Sequence, residues 1–144
     1  MSGEELYNTI VREITPLTDE DCLFIADRKK KEFDYPVHTH DDYELNFIMN
    51  AAGATRVVGD SQEAITDFDL VLITGANLEH AWFQGDCRSD RDIREITIQF
   101  RMDFDGAFLR GHQFKSIKKM IQKAQNGLVF PLEAVLEVYT DLDK

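Results

Sequence analysis

The segment from Tyr43 to Asn50 constrains the fold of this chain more than any other. Apolar and polar residues alternate along it, with Glu44 and Asn46 at even positions and one apolar exception, Ile48. The apolar residues at the odd positions are Tyr43, Leu45, Phe47 and Met49. Successive side chains of a strand point to opposite faces, so this pattern predicts a β-strand with one packed and one polar face. The polar face must meet a cavity or solvent, because burying Glu44 without partners costs several kcal/mol.

Further short segments with turn signals between them predict an all-β architecture for most of the chain. The predicted strands are 22–26, 55–58, 63–68, 70–73, 80–84 and 93–100. Strands of this length, separated by turns such as Gly59-Asp60 and Gly85-Asp86, are typical of a sandwich or barrel. The basic run 28–31 is expected to end the first strand as a solvated loop or edge-strand face, and residues 4–12 can form a short helix.

After Phe100 the apolar residues recur at helical spacing. The first predicted helix carries the stripe Ile117, Met120, Ile121 and Ala124, with Gly127 as its stop. Pro131 can open a second helix, whose stripe consists of Leu132, Val135, Leu136 and Tyr139. One stripe could cover an open end of a barrel. Because two stripes exceed what a small barrel needs, we expect a homodimer whose interface includes Ile117, Met120 and Ile121, or Leu132, Val135 and Leu136.

A set of potential metal ligands precedes and overlaps the alternating strand. His38 and His40 lie two residues apart, Glu44 follows four residues later, and His80 comes after a later turn signal. Even spacing in an extended strand places side chains on one face, so the first three can converge, and His80 can join them. This set is compatible with zinc, nickel, manganese or iron. A hydrogen-bonded polar cluster between two strands is the alternative interpretation.

The same polar face predicts a small-molecule pocket. Trp82 shares a strand face with His80 and could stack on a sugar ring, although a single tryptophan in a barrel is often a core residue. The predicted ligand-binding residues are His38, His40, Glu44, Asn46, His80 and Trp82. Weaker candidates are Arg56, Arg94 and Gln99. A polar effector such as a sugar fits this set better than a lipid does.

Two motifs carry a resemblance to known families. HTHDDYEL, followed by a glycine, resembles the first histidine motif of the cupin barrels, and DFDLVLITGANLEHAW resembles the second. The series that includes YELNFIM and ITIQF is similar to the amino-terminal regulatory domain of AraC-type bacterial transcription factors. The resemblance runs from about Phe33 to the C-terminus. It implies a mainly β fold with C-terminal helices: a cupin-type double-stranded β-barrel, or jelly roll, followed by two α-helices.

In this interpretation residues 1–110 form the barrel and residues 111–144 form a helical dimerisation segment. The resemblance implies a ligand-sensing and dimerisation domain, with DNA recognition in a helix-turn-helix domain beyond Lys144, where the helical pattern is cut off. The alternative is a stand-alone metal-dependent cupin enzyme, such as a dioxygenase or sugar isomerase, that uses His38, His40, Glu44 and His80. A third is a binding module without DNA partners. No motif for nucleophilic catalysis is present. Because the helical pattern is cut off at the end of the chain and the second motif lacks the usual turn residues of the family, we favour the regulator over the enzyme and expect no enzyme activity.

Charge and composition further limit the class of protein to which this chain can belong. The chain has 144 residues, which suits one domain, and a net charge of −11, which disfavours DNA binding by this part of the protein. No window approaches the roughly 18 apolar residues of a membrane span, and the start lacks a secretory pattern. Cys22 and Cys87 form no disulfide framework, so we expect a cytoplasmic protein.

Overall fold

The computed structural model describes residues 10–12, 23–33, 35–74, 78–88, 91–101 and 115–142. These residues form ten strands and two helices. The strands are β1 (Ile10–Arg12), β2 (Leu23–Lys30), β3 (Val37–Thr39), β4 (Tyr43–Met49), β5 (Thr55–Val58), β6 (Ser61–Ala64), β7 (Phe68–Ile73), β8 (His80–Phe83), β9 (Ile93–Phe100) and β10 (Leu128–Val129). The helices are α1 (Lys115–Lys123) and α2 (Leu132–Leu142). Neither helix has the length and apolar content that crossing a membrane would require.

The strands form two five-stranded sheets. The first sheet has the order β1-β3-β8-β5-β6, and the second has the order β10-β7-β4-β9-β2. A buried apolar cluster contains Ile48 and Val71 from the second sheet together with Val58 and Trp82 from the first. The predicted fold class, a mainly β barrel of two sheets followed by two helices, is confirmed. The predicted boundary at residue 110 lies outside the described residues and stays a prediction.

The two helices cover the outer face of the second sheet. Val135 of α2 packs with Phe47, Leu70 and Ile96 in one buried cluster. In a second cluster, Ile121 of α1 and Ala124 of the turn after it pack on Leu72 of the sheet. The odd positions of β4 therefore face helices, which explains how a strand with polar even positions can sit at the centre of a sheet. The even positions, beginning with Glu44, face the other sheet.

Helix packing buries some residues of the apolar stripes that were predicted to form a dimer interface and leaves others exposed. Ile121 and Val135 are only 7% and 1% exposed, because both contact the chain's own sheet. Those two residues were wrongly assigned to an intermolecular surface. Ile117, Leu132 and Leu136 remain exposed, so they are the part of the predicted stripes that a second subunit can reach.

Two elements near the N-terminus differ from the prediction. The helix expected over residues 4–12 is wrong at its end, since Ile10–Arg12 form β1, parallel to β3, while residues 4–9 lie outside the described part of the chain. The first strand does not stop at the basic run but extends to Lys30, which pairs with Ile93. Strand β2 lies at the edge of the second sheet, where charged side chains are readily accommodated.

Candidate functional site

Four side chains converge at one end of the interior. His38 on β3 is the register partner of His80 on β8, in the first sheet. Glu44 lies on β4 in the second sheet, and His40 lies between β3 and β4. All four are buried, and one potential ligand atom from each lies within 4.8 Å of the others. We call these four residues the histidine cluster.

The cluster forms by a different route from the one that the spacing predicted. The sequence argument placed His38, His40 and Glu44 on one face of a single extended strand, and this was wrong. A bend at residues 41–42 separates β3 from β4, which belong to opposite sheets. The side chains therefore meet across the barrel interior.

Each imidazole of the cluster has one nitrogen oriented by the backbone. The Nδ1 atoms of His38, His40 and His80 lie 3.0, 2.8 and 2.8 Å from the carbonyl oxygens of Pro36, Asp42 and Leu78, respectively. Because a carbonyl only accepts hydrogen bonds, each Nδ1 carries a proton and donates it. In the neutral rings the lone pair is consequently on Nε2. Ordering of this kind by backbone carbonyls is common for histidines that bind metals.

The Nε2 atoms of His40 and His80 face a carboxylate. Nε2 of His40 lies 3.2 Å from Oε1 of Glu44, and Nε2 of His80 lies 3.6 Å from Oε2. A neutral imidazole with a protonated Nδ1 has no hydrogen to donate to Glu44. The arrangement is favourable only with added positive charge between these groups, either a proton on Nε2 or a bound cation. Among the described residues, Nε2 of His80 has no hydrogen-bond partner although it is buried.

The acid–base properties of the cluster suit a cation. Burial lowers the pKa of His80 to about 4, so this imidazole is neutral near pH 7. Burial opposes ionisation of Glu44, but a hydrogen bond from His40 in its protonated form and positive charge on the surrounding imidazoles outweigh burial and hold the pKa of Glu44 below the usual range. Neutral imidazoles and a carboxylate are the forms that coordinate a divalent transition metal. The residues present therefore fit zinc, nickel, manganese or iron, and His38, His40, Glu44 and His80 would hold the ion.

A line of hydrogen-bonded polar residues runs along the inner face of the second sheet. Gln99 donates to Oε1 of Glu44 at 3.3 Å, and Thr97 donates to Oδ1 of Asn46 at 2.7 Å. Asn46 in turn donates to Oε2 of Glu95 at 3.3 Å. We call these five residues the polar wall. Its members on β9 alternate with apolar positions that face the helices. Of these β9 members, the sequence analysis named only Gln99.

The polar wall borders a cavity of about 480 Å³. This size suits a small-molecule ligand. The lining residues are Phe24, Ala26, Arg28, Lys29, Lys30, Phe33, Tyr35, His38, Glu44, Asn46, Ala81, Trp82, Glu95, Thr97 and Gln99. Of the predicted ligand-binding residues, His38, Glu44, Asn46 and Trp82 line the cavity. His40 and His80 are buried behind it in the histidine cluster.

Trp82 combines the two roles that the sequence left open. It belongs to the apolar core between the sheets and also lines the cavity. Its indole Nε1 donates to Oδ2 of Asp69 at 3.2 Å, and the other oxygen of Asp69 accepts a hydrogen bond from Arg56. Burial raises the pKa of Asp69, although Arg56 acts against this shift. Asp69 and Arg56 thus tie the two sheets together and fix the orientation of the indole.

The three weaker candidates for ligand binding lie in different environments. Gln99 lines the cavity, as proposed. Arg56 is committed to Asp69 and Glu63, and Arg94 forms an ion pair with Asp27. Arg28, Lys29 and Lys30 were missed as cavity residues, because the basic run was interpreted as solvated. Strand β2 continues through this run and brings it to the cavity.

The fold resembles that of ToxT from Vibrio cholerae. ToxT with a bound unsaturated fatty acid matches 89% of this chain and 48% of the ToxT chain, with a TM-score of 0.57 and 16% identity. An apo ToxT variant matches 86% of this chain and 48% of its own, with a TM-score of 0.55 and 17% identity. ToxT bound to (E)-4-(8-methylnaphthalen-1-yl)but-3-enoic acid matches 84% of this chain, with a TM-score of 0.51.

The coverage and the sequence identity of these matches determine which conclusions they support. This chain spans about half the length of the ToxT chains that it matches. No protein-family model matches the sequence, and no curated protein matches it significantly. With identities of 16% and 17%, the likeness establishes the fold: a ToxT-like β-barrel with C-terminal helices.

Proposed function

We propose that this chain is the ligand-sensing domain of an AraC-type transcription regulator and that a small polar effector binds in its cavity. The observation that carries the proposal is the cavity between two sheets, bordered by the polar wall, in a barrel of ToxT-like fold. ToxT is an AraC-family regulator, and its structures hold an unsaturated fatty acid or a naphthalenyl butenoic acid. A ligand site in the corresponding barrel of this chain is consistent with those complexes.

The chemistry of the cavity favours a hydroxyl-rich, sugar-like effector. The amides of Asn46 and Gln99 and the hydroxyl of Thr97 offer both donors and acceptors on one side. Trp82 offers an aromatic surface against which a sugar ring can stack. These groups already hydrogen-bond within the polar wall, and a hydroxyl-rich ligand can add bonds to their remaining donor and acceptor positions.

The wider organisation follows from the same proposal. Residues 1–110 would form the sensing barrel, and residues 111–144 would form the helical segment of a homodimer, with DNA binding assigned to a further domain of a cytoplasmic protein. An effector that binds one arrangement of the dimer more tightly shifts the population toward it and repositions the DNA-binding domains. Exposed Ile117, Leu132 and Leu136 supply apolar surface for that dimer.

A second candidate function, a metal-dependent cupin enzyme such as a dioxygenase or sugar isomerase, is favoured by the histidine cluster. Three imidazoles and a carboxylate meet beside a cavity, and His80 has a buried nitrogen without a hydrogen-bond partner among the described residues. A metal held there would act as a Lewis acid. In the regulator proposal, the same ion would only orient or bind the effector.

Ligand titration of the purified chain tests the regulator proposal. Trp82 is the only tryptophan, so its fluorescence reports directly on the cavity. We expect a member of a panel of sugars and sugar acids to change the Trp82 emission and to be recovered chemically unchanged. Gln99→Leu should weaken binding about tenfold, since it leaves a polar group of the ligand unpaired.

The matched control is Gln62→Leu, which makes the same substitution at an exposed position on β6 and should leave affinity unchanged. Two results would contradict the proposal. If no panel member affects Trp82, the cavity is not an effector site for this class. Conversion of the ligand into a product by the metal-loaded chain would support the enzyme instead.

A further inference from the structure

Helix α1 carries positive charge along one exposed face. Lys115, Lys119 and Lys123 lie four residues apart on it, and all three are exposed. Residues at this spacing share one face of a helix, so the three lysines follow each other at steps of about 6 Å along the axis. We call them the lysine row. The face of α1 that packs on the sheet is a different one, since Ile121 is buried there.

Helix α2 carries the opposite charge at the same spacing. Glu133, Glu137 and Asp141 are exposed and lie four residues apart, and we call them the acidic row. Leu132 and Leu136, which immediately precede the two glutamates in the sequence, are each 52% exposed. Helix α2 therefore presents apolar surface beside a row of carboxylates, whereas α1 presents a basic face of the same length.

Neither row stabilises its own helix. Like charges four residues apart on a helix repel each other, so each row disfavours the helix that carries it. The helix dipole favours acidic residues in the first turn and basic residues in the last turn. Lys115 nevertheless lies in the first turn of α1, and Asp141 lies in the last turn of α2. Local helix stability therefore does not account for the two rows.

Most members of the rows also lack partners within their own chain. In the part of the chain that the structure describes, the side chains of five of them form no hydrogen bond or ion pair: Lys115, Lys119, Lys123, Glu133 and Glu137. A second copy of the chain offers each row the opposite charge at the matching spacing.

We propose that the homodimer forms by reciprocal packing of α1 of each subunit on α2 of the other, with each lysine row facing an acidic row. This inference rests on the homodimer of the proposed function and specifies its interface. Two-fold symmetry repeats the contact, so each dimer contains two such pairings. The aliphatic stems of the lysines cover Leu132 and Leu136, while their ammonium groups reach the carboxylates.

Charge distinguishes this arrangement from a dimer built on two identical helices. Pairing of α2 with α2 would bring two acidic rows together, and pairing of α1 with α1 would bring two lysine rows together. Like charges that face each other across an interface disfavour association. Of the three pairings, only the reciprocal one brings opposite charges together beside the exposed leucines.

Charge reversal tests the pairing on the whole chain, with the dimer dissociation constant measured by analytical ultracentrifugation. The acid-reversed variant carries Glu133→Lys and Glu137→Lys. The lysine-reversed variant carries Lys115→Glu and Lys119→Glu. Each variant alone should dimerise at least about tenfold more weakly than wild type, because like charges then face each other in both contacts.

An equimolar mixture of the two variants should restore the dimer. In the mixed dimer every reversed row meets a row of opposite charge, so the affinity should return to within about threefold of wild type. The wild-type dimer should also weaken between about 0.05 M and about 0.5 M NaCl, because salt screens exposed charges. An interface held by the leucines alone would not weaken over this range.

Glu32→Lys combined with Glu79→Lys is the matched control. It makes the same change at two exposed positions outside the helices and should leave dimerisation unchanged. Circular dichroism and the thermal midpoint check that each variant is folded. If charge reversal unfolds the chain, Glu133→Gln with Glu137→Gln removes the charge without reversing it and should still weaken the dimer severalfold.

The outcomes separate this inference from the proposed function. A wild-type dimer that neither variant weakens, or an acid-reversed variant that pairs more tightly with wild type than with the lysine-reversed variant, would overturn the reciprocal pairing and leave the homodimer standing. A wild-type chain that stays monomeric at high micromolar concentration would overturn both. The response of Trp82 to the sugar panel tests the sensing function separately, and all variants should retain it because neither row lines the cavity.

Discussion

The two faces of the second sheet differ in what their side chains contact, although the same strands supply both. On the outer face, Phe47 of β4 and Ile96 of β9 pack against helix α2. On the inner face, Asn46 and Thr97 of the same strands hydrogen-bond to each other and line the cavity. Stability and ligand recognition are thus assigned to alternate residues, so substitutions one residue apart should have different consequences.

The largest effect is expected on the outer face. Phe47→Ala removes a side chain that is 1% exposed and packs against both Val135 and Tyr139. We expect a loss of about 3–5 kcal/mol in the free energy of unfolding, as for other buried phenylalanines. Urea unfolding followed by circular dichroism measures this value. Thr97→Val, a nearly isosteric change on the inner face, is the control and should lower stability by about 1 kcal/mol.

The buried ion pair between the sheets should respond almost as strongly. Asp69→Asn leaves Arg56 buried at 4% exposure without its charged partner inside the barrel. Breaking such a pair costs about 3–5 kcal/mol, and the amide keeps only one oxygen, which cannot replace both acceptors that Arg56 and Trp82 now use. Urea unfolding gives the loss of stability, and a shift in Trp82 emission reports the freed indole. A stability within about 1 kcal/mol of wild type would show that the pair does not hold the sheets together.

Metal binding should stabilise the inner face by a smaller amount. An ion at 100 times its dissociation constant adds about 2.7 kcal/mol, so zinc or nickel should raise the thermal midpoint of the wild-type chain. Glu44→Gln should abolish this rise, because it removes the carboxylate of the histidine cluster. Glu79→Gln, beside His80 but exposed, is the matched control. An equal rise in both variants would place the ion elsewhere.

The smallest effect concerns an ion pair on the outer side of β2. Arg94 holds the pKa of Asp27 below its usual value, chiefly through a hydrogen bond, at an exposed site. A lowered folded-state pKa contributes stability above the usual pKa of aspartate, and this contribution disappears as pH falls through the folded-state value. Asp27→Asn should therefore cost no more than about 1 kcal/mol at pH 7 and nothing in strong acid. Unfolding curves at both pH values provide the test.

The sequence predicted those parts of the fold that depend on local patterns. The alternation from Tyr43 identified β4, and the strand predicted at 93–100 coincides with β9, since each strand has one face on helices and one on the cavity. The start of β4 was not predicted, because the preceding histidines were assigned to the same strand. The helical spacing around Ile121 and Val135 located both helices. The helical spacing did not predict which surface the apolar stripes contact, because such a stripe can pack on the chain's own sheet as well as on a second subunit.

The site was predictable in its membership but not in its construction. Histidine spacing named the residues of the histidine cluster, yet the bend after His40 and the pairing of His38 with His80 depend on long-range contacts. Arg28, Lys29 and Lys30 were missed for a related reason. A basic run looks solvated in sequence, and only its pairing with β9 shows that strand β2 continues through it beside the cavity.

A crystal structure of the chain with the tightest-binding effector tests the central claim most directly. We expect electron density for the ligand between the sheets, against Asn46, Gln99 and Trp82, and helices unchanged on the outer face. Density for the ligand on the exposed surface around Leu132 and Leu136, with an empty interior, would contradict the assignment of recognition to the inner face.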